Sequence, residues 1–154
     1  MITLILPPPI QDKIRTALLK AGRHEIGGVL MAEHVGPNEF EVKDLTVHRC
    51  GSVFNFVRAI EEALSRLRTF FDRAQHDYTR FNYIGEWHSH PSFEPVPSPR
   101  DDDSMREIVQ DQQVGANFVV LLIVKLHGDD ELRGSVHTYL PDGTKHGSVL
   151  KYRP

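Results

Sequence analysis

Hydrophobic residues follow two different spacings along this chain, and the spacing changes from one segment to the next. Apolar runs of about four to eight residues, either continuous or alternating with polar residues, are typical of β-strands. Apolar residues three or four positions apart are typical of helices that pack one face against a core. The first pattern predicts strands at TLIL, EIGGVLMAEHV, EFEVKDLTVHR, FNYIGEWHSH, ANFVVLLIVKL and LRGSVHTYLPDG.

The helical spacing occurs in three places. It predicts a first helix from Ile10 to Ala21, with Gly22 as its C-cap. The most regular stretch predicts a second helix from about Arg58 to His76, and a third, shorter helix is expected to begin near Ser98. Because strands and helices are interleaved, the predicted class is α/β (α+β), with a mixed β-sheet flanked by helices.

The length and composition narrow the possible functions. A chain of 154 residues is suited to one domain with one core, so a single domain is expected over residues 1–154. The net charge of −3, without a basic run, gives no electrostatic reason to expect a nucleic-acid partner. The single cysteine, Cys50, excludes an internal disulfide and fits a reducing compartment.

No segment of the sequence predicts export or membrane insertion. The apolar run from Ile2 to Leu6 is too short for a signal peptide and has no basic residue before it. The longest other run, FVVLLIV, is far below the roughly 20 apolar residues of a transmembrane helix. We therefore expect a cytoplasmic protein without a membrane partner.

The segment GEWHSHPSFEPVPSPRDDDS carries the most distinctive chemistry. His88 and His90 stand one residue apart, which on a strand places both imidazoles on one face. The following SPRD predicts a helix start, with Ser98 at the N-cap, Pro99 at the first helical position and Asp101 in the first turn. Two imidazoles and one carboxylate, with an open position for water, form a catalytic zinc site.

A simpler interpretation competes with this one. Histidines beside a proline-rich loop are often solvated, and acidic residues at a helix start often serve only the helix dipole. Here the end of an apolar strand, a rigid connector and an acidic helix start occur together, which favours a site. Asp102 and Asp103 would point about 100° and 200° away from Asp101 around the helix axis, so we expect both to be solvated charges.

The order of these residues resembles the signature of the JAMM metalloproteases, which are also called JAB or MPN-type domains. The match covers residue type and spacing: one residue separates His88 from His90, seven separate His90 from Ser98, and two separate Ser98 from Asp101. The family also has a glutamate on an upstream strand, and Glu25 in HEIGGVL is similar. The resemblance covers most of the chain and implies the cytidine-deaminase-like JAB/MPN fold.

The resemblance implies a role for each of these residues. His88, His90 and Asp101 would bind one zinc ion together with a catalytic water. Glu25 would act as general base toward that water and then return a proton to the leaving amine. Ser98 would donate a hydrogen bond to the tetrahedral oxyanion. The implied reaction is hydrolysis of a peptide or isopeptide bond.

Three residues near the histidines leave alternatives open. Glu86, two residues before His88, shares its strand face and is a second candidate for the base. We rank it below Glu25, because a base so close along the same strand is expected to crowd the metal or to bind it. Trp87 is expected to point to the opposite face, into the core, while Phe93 either lies exposed or lines a substrate groove.

The resemblance is to compact bacterial-type versions of the family, which implies a ubiquitin-like or conjugated protein as substrate. Companions would be ubiquitin-transfer-like enzymes or sulfur-carrier proteins. The groove walls are expected at Pro91–Pro97 and Gly51–Val57, and the former loop is also a candidate for autoinhibition. The alternatives are a peptidase that processes sulfur carriers or small peptides and, because relatives of the fold have lost their metal ligands, a non-catalytic scaffold.

Overall fold

The computed structural model describes residues 1–49, 69–75, 77, 80–112, 114–128 and 130–154. The elements are β1 (Thr3–Leu6), α1 (Pro8–Ala21), β2 (Ile26–Gly36), β3 (Glu39–Leu45), β4 (His48–Arg49), α2 (described over 69–73), β5 (Phe81–Ser89), α3 (Pro99–Gln110), β6 (Val119–His127), β7 (Glu131–Tyr139) and β8 (Lys145–Tyr152). Among the helices within these ranges, none has the length and apolar character needed to cross a lipid bilayer.

The strands form one mixed sheet in the order β3-β1-β8-β7-β6-β5-β2-β4. The β1–β3, β1–β8 and β5–β6 pairs are parallel, and the other pairs are antiparallel. Strand β3 also pairs with β2, so the sheet curves until seven strands form a closed ring of pairings. The prediction of a mixed sheet flanked by helices is confirmed.

Most predicted elements are present, with differences at their ends. Helix α1 begins at Pro8 rather than Ile10, because prolines fit the first turn, where no intrahelical N–H bond is needed. The predicted strand EFEVKDLTVHR divides into β3 and β4. Most of the predicted second helix lies outside the described residues, and its described end is helical over 69–73. Strand β8 was not predicted at all.

The core has two faces because helices cover the sheet on both sides. One cluster packs α1 against alternate residues of β6 and includes Ile14, Val120 and Leu122. A second cluster packs α3 against the intervening residues of β6 and includes Met105 and Leu121. Strand β6 is therefore buried on both faces, and the α3 side of the sheet is the side on which the candidate site lies.

Strand β5 passes between β2 and β6 with an irregular register. The β2–β5 pairing shifts between Leu30 and Met31, opposite Gly85, so the side-chain alternation changes phase there. A Cβ at Gly85 would lie 1.9 Å from the Val120 carbonyl oxygen, so only glycine permits this approach. After the shift, Trp87 is fully buried and donates its indole N–H to the Thr46 carbonyl at 2.8 Å. The prediction that Trp87 faces the core is confirmed.

Candidate metal centre

The start of α3 is fixed by a reciprocal capping box. Ser98 has an extended backbone, and its hydroxyl oxygen accepts a hydrogen bond from the Asp101 N–H at 3.1 Å. The Asp101 carboxylate accepts in return from the Ser98 N–H at 2.9 Å. The predicted N-cap and first-turn aspartate are therefore confirmed as structural features. The exchange also holds the Asp101 carboxylate in one orientation.

Both histidines of the HSH segment reach this carboxylate. His88 lies near the end of β5, and its Nδ1 is 3.4 Å from Asp101 Oδ1. His90 follows the strand, and its Nε2 is 3.3 Å from Asp101 Oδ2. The three side chains are only 12%, 5% and 16% exposed, respectively. The fold thus brings the end of β5 and the start of α3 together, as the proline-rich connector predicted.

The second nitrogen of each imidazole faces an oxygen acceptor. His88 Nε2 lies 3.3 Å from Glu86 Oε2, on the neighbouring same-face position of β5. His90 Nδ1 lies 3.1 Å from the Glu94 carbonyl oxygen, in the loop that follows the strand. Each ring is consequently held at both nitrogens, with Asp101 on one side.

The electrostatics of this cluster favour the charged forms. Burial alone would lower the pKa of His88, but hydrogen bonds to Asp101 and Glu86 raise it to about 9. Burial also opposes the charged form of His90, but Asp101 and the Glu94 carbonyl raise its pKa. Burial opposes ionisation of Asp101, yet His88, His90 and the Ser98 N–H hold its pKa well below the usual range. The carboxylate is therefore ionised, as a metal ligand must be.

Glu25 reaches the same region from the start of β2. Ser89, which stands between the two histidines, accepts a hydrogen bond from the Ile26 N–H at 2.9 Å and is almost fully buried. Glu25 lies one residue before Ile26 and is exposed, and its charge contributes to the raised pKa of His90. The structural role of Ser89 was not predicted, because an isolated serine between histidines carries no periodic signal.

The prediction that Asp102 is a solvated charge is wrong. Its side chain is only 15% exposed and accepts hydrogen bonds from the Tyr139 hydroxyl at 2.6 Å and from Lys145 Nζ at 3.0 Å. Asp102 thus connects α3 to β7 and β8. Asp103 is 85% exposed and is the solvated charge that was expected.

The loop between the strand and the helix packs beside the histidines. The Phe93 ring centroid lies 4.4 Å from that of His90, although the Phe93 side chain is half exposed. Lys125 Nζ donates to the Phe93 carbonyl at 3.3 Å, and the Ser135 hydroxyl donates to the Pro95 carbonyl. The predicted second groove wall, Gly51–Val57, and Cys50 lie outside the described residues.

Comparison with known proteins identifies the family. The family model "Prokaryotic homologs of the JAB domain" matches residues 7–136, which include all the site residues described above. The chain belongs to this prokaryotic JAB family. Its resemblance to the JAB/MPN domains is therefore confirmed, while the roles of the individual site residues stay predictions. Among curated protein sequences, none matches this JAB domain.

A solved structure has the same fold. A protein from Desulfitobacterium hafniense, whose solution structure is known, is similar with a TM-score of 0.66 and 17% identity, over 97% of this chain and 94% of that one. A JAB1/MPN domain protein from Archaeoglobus fulgidus is similar with a TM-score of 0.47 and 14% identity, over 96% and 97% of the two chains.

The donors of this JAB domain fit a zinc ion in chemical type. Two imidazole nitrogens and a carboxylate form a common zinc ligand set, and bonds of about 2.0–2.1 Å separate tetrahedral ligand atoms by about 3.3–3.4 Å. The two nitrogen–oxygen distances to Asp101 are 3.4 and 3.3 Å. However, no group of three or more His, Cys, Asp or Glu side chains in the described ranges is arranged to hold a metal. Each Asp101 oxygen faces a different ring, so the three donors do not point to one position.

Proposed function

We propose that this JAB domain is a zinc-dependent metallopeptidase that hydrolyses a peptide or isopeptide bond. The observation that carries the proposal is the meeting of His88, His90 and Asp101 at the junction of β5 and α3, with N–O distances of 3.3–3.4 Å. A domain of this family with an ionised, partly buried carboxylate between two imidazoles has the donor types that zinc requires.

The ligands in this proposal are His88, His90 and Asp101. A zinc ion held there would lower the pKa of a bound water toward neutrality and polarise a carbonyl group. Glu25 is exposed, and its negative charge contributes to the raised pKa of His90. In this proposal its carboxylate exchanges protons with the bound water and the leaving amine.

Ser98 completes the proposed constellation at the N-terminus of α3. Its hydroxyl oxygen accepts the capping bond, which leaves the hydroxyl proton for an oxyanion. The positive end of the α3 helix dipole adds a favourable field for negative charge. This field and the Ser98 proton would stabilise the same tetrahedral intermediate.

The proposed substrate is a ubiquitin-like or conjugated protein, cut after its extended C-terminal tail. Two exposed apolar side chains of the loop support a peptide substrate: Phe93, which lies beside His90, is 49% exposed, and Val96 is 53% exposed. Sulfur-carrier processing and cleavage of small peptides use the same chemistry and stay within the proposal. We further propose a cytoplasmic location, with a ubiquitin-transfer-like or sulfur-carrier protein as companion.

A non-catalytic MPN-type scaffold is the second candidate function. The observation that favours it is the absence, in the described part of the chain, of three donors arranged around one point. A scaffold would need none of the five predicted site residues for binding its partner.

The test combines metal analysis with a cleavage assay. The purified protein is incubated with ubiquitin-like proteins fused at their C-termini to a reporter, with and without a chelator. We expect one zinc per chain, cleavage that the chelator abolishes, and loss of zinc in His88→Ala and Asp101→Asn. Glu25→Ala should keep zinc and lose about 10²–10⁴-fold in rate, because only proton transfer is removed.

The control is Glu107→Ala, which removes an exposed carboxylate from α3. It should keep both zinc and full activity. A protein that binds no zinc, or that cleaves equally well without His88, would contradict the metallopeptidase proposal and favour the scaffold. Cleavage that survives Glu25→Ala would remove Glu25 alone from the mechanism.

A further inference from the structure

Glu86 is the most deeply buried carboxylate of the described residues, and the roles proposed above do not use it. The residue is 1% exposed, and its Oε1 has no hydrogen-bond partner in the part of the chain that is described. An unpaired buried polar atom destabilises a fold, and an apolar side chain of the same length would avoid that cost. The unpaired Oε1 therefore lowers the stability of the fold, so packing of the strand does not explain a glutamate at this position.

The other oxygen of the Glu86 side chain contacts the candidate metal centre. Its Oε2 lies 3.3 Å from His88 Nε2, while Nδ1 of the same ring lies 3.4 Å from Asp101 Oδ1. The two carboxylates therefore lie on opposite edges of one imidazole. Side chains two positions apart on a strand point to the same face, so β5 itself places the Glu86 carboxylate beside the His88 ring.

His90 shows the same arrangement with a different acceptor. Its Nδ1 faces the Glu94 carbonyl at 3.1 Å, and its Nε2 faces Asp101 Oδ2 at 3.3 Å. A neutral imidazole that donates from one nitrogen presents a lone pair at the other, which is the form that binds a metal. Both rings thus have an acceptor behind them and Asp101 in front of them.

We propose that Glu86 is a positioning residue that accepts the Nε2–H of His88 and thereby directs the Nδ1 lone pair toward the side of the ring on which Asp101 lies. The inference rests on the proposed zinc site. It assigns Glu86 a role behind the ligand, distinct from the base role for which Glu25 is proposed. Glu86 itself touches neither substrate nor the reacting atoms in this arrangement.

The decisive variant is Glu86→Met, which has a similar length and no acceptor oxygen. Thermal stability without metal reports the structural part of the change, because this variant also removes the buried contact of Glu86 Oε2 with His88 Nε2. Zinc affinity should fall about 10–100-fold, the usual effect of losing an acceptor behind a metal-bound histidine. A merely structural role for Glu86 would lower thermal stability and leave zinc affinity unchanged. Affinity is measured by competition with a chromophoric chelator, and stability by thermal unfolding without metal.

Two further variants make the result specific. Glu86→Gln keeps an acceptor oxygen but is a weaker acceptor than a carboxylate, so its zinc affinity should lie between wild type and Glu86→Met. Glu94→Gln is the charge-matched control, because its side chain is exposed and only its carbonyl contacts His90. It should bind zinc as wild type does. Nitrogen NMR of the zinc-loaded protein should show His88 protonated at Nε2 in wild type and Glu86→Gln.

The outcomes separate the two proposals. If wild type binds zinc and Glu86→Met binds it equally tightly, the positioning role is overturned and the zinc site stands. The same holds if the NMR spectra show His88 bound to zinc through Nε2. If wild type binds no zinc, the proposed function fails as well. If Glu86→Met does not fold, Glu86→Gln is the deciding variant. Unchanged zinc affinity in Glu86→Gln overturns the positioning role, and a several-fold loss of zinc affinity supports it.

Discussion

The hydroxyl group of Ser98 combines a structural bond with a proposed catalytic one. Its oxygen accepts from the Asp101 N–H at 3.1 Å, and the same residue returns a backbone hydrogen bond to the Asp101 carboxylate at 2.9 Å. A hydroxyl can donate while it accepts, so the cap does not consume the proton that an oxyanion needs. The two uses can therefore be separated by substitution.

Ser98→Gly should separate helix capping from catalysis. Glycine at an N-cap costs only a few tenths of a kcal/mol relative to serine, whereas alanine costs about 0.5–2 kcal/mol. We expect Ser98→Gly to keep most of the stability and to lose about 10²–10³-fold in cleavage rate, because the oxyanion donor is gone. Ser98→Thr is the control and should keep both. Activity equal to wild type in Ser98→Gly would contradict the donor role.

The residue types of the site could be predicted, but their partners could not. The one-residue spacing of His88 and His90 and the serine–aspartate pair of the helix start are local patterns. Asp102 was misjudged because its partners, Tyr139 and Lys145, lie 37 and 43 positions away in sequence. The angle around the helix axis predicts the direction of a side chain, whereas its contacts depend on the tertiary fold.

At the scale of elements, β5 carries the site because it is held closely on both sides. It pairs with β2 in an antiparallel and with β6 in a parallel arrangement. Its register shift near Gly85 changes the phase of the side chains. Consequently Ile84 and Trp87 both join the core cluster beneath α1, while Glu86 and His88 face the start of α3.

Gly85→Ala should be strongly destabilising. The added Cβ would lie 1.9 Å from the Val120 carbonyl oxygen and 2.7 Å from its nitrogen, and backbone atoms between two paired strands cannot move aside. We expect a loss of at least about 2–3 kcal/mol in the free energy of unfolding, at the upper end for overpacked cores. Urea denaturation measures it.

The matched control for that substitution is Gly147→Ala, in the exposed strand β8. A Cβ at Gly147 would meet no atom within 4 Å. The change should stay within about 0.5 kcal/mol, as is usual for surface positions. Equal effects at the two glycines would show that close approach to β6 is not the reason for glycine at position 85.

Strand β8 shows the limit of periodicity. Its side chains are mostly exposed, so KHGSVLKY lacks the apolar alternation by which the other strands were predicted. Its backbone nevertheless pairs with β7 on one side and β1 on the other. Sheet pairing, rather than burial of side chains, makes this segment a strand.

At the scale of the whole molecule, the sheet closes where β3 pairs with both β1 and β2. Carboxylates cluster at that junction. Glu33 of β2 and Glu41 of β3 are both buried, and Lys43 contacts both of them. Arg80, just before β5, binds Glu33, and Arg153 at the C-terminus binds Glu41 at 2.8 Å. Ion pairs thus connect segments that are distant in sequence.

Arg80→Ala should destabilise the protein in a pH-dependent manner. Burial opposes ionisation of Glu33, but hydrogen bonds from Arg80 and Lys43 outweigh it and lower its pKa below the model-compound value of 4.5. A lowered folded-state pKa contributes stability above about pH 4.5, and this contribution disappears as the pH falls through the folded-state pKa. We expect Arg80→Ala to cost about 1 kcal/mol near neutral pH, since the arginine is largely exposed, and less in acid.

Urea denaturation of wild type and Arg80→Ala between about pH 7 and about pH 3 measures this difference. The Arg80 guanidinium also lies 4.9 Å from the centroid of the Phe81 ring. Loss of this contact should contribute a part of the stability loss that does not depend on pH. Arg133→Ala is the control, because its partner Glu131 is 62% exposed. A difference that grows on acidification, or one of the same size in Arg133→Ala, would contradict the role given to Glu33.

The sequence by itself determined the class of fold, most of the strands, the first and third helices and the residue types of the candidate site. These features depend on local periodicity, capping and spacing, which a short segment carries within itself. The tertiary structure decided the closing of the sheet, the pairing of β8 and the partners of Asp102. Those features depend on contacts between segments far apart in the chain, and such contacts leave no periodic trace in either segment.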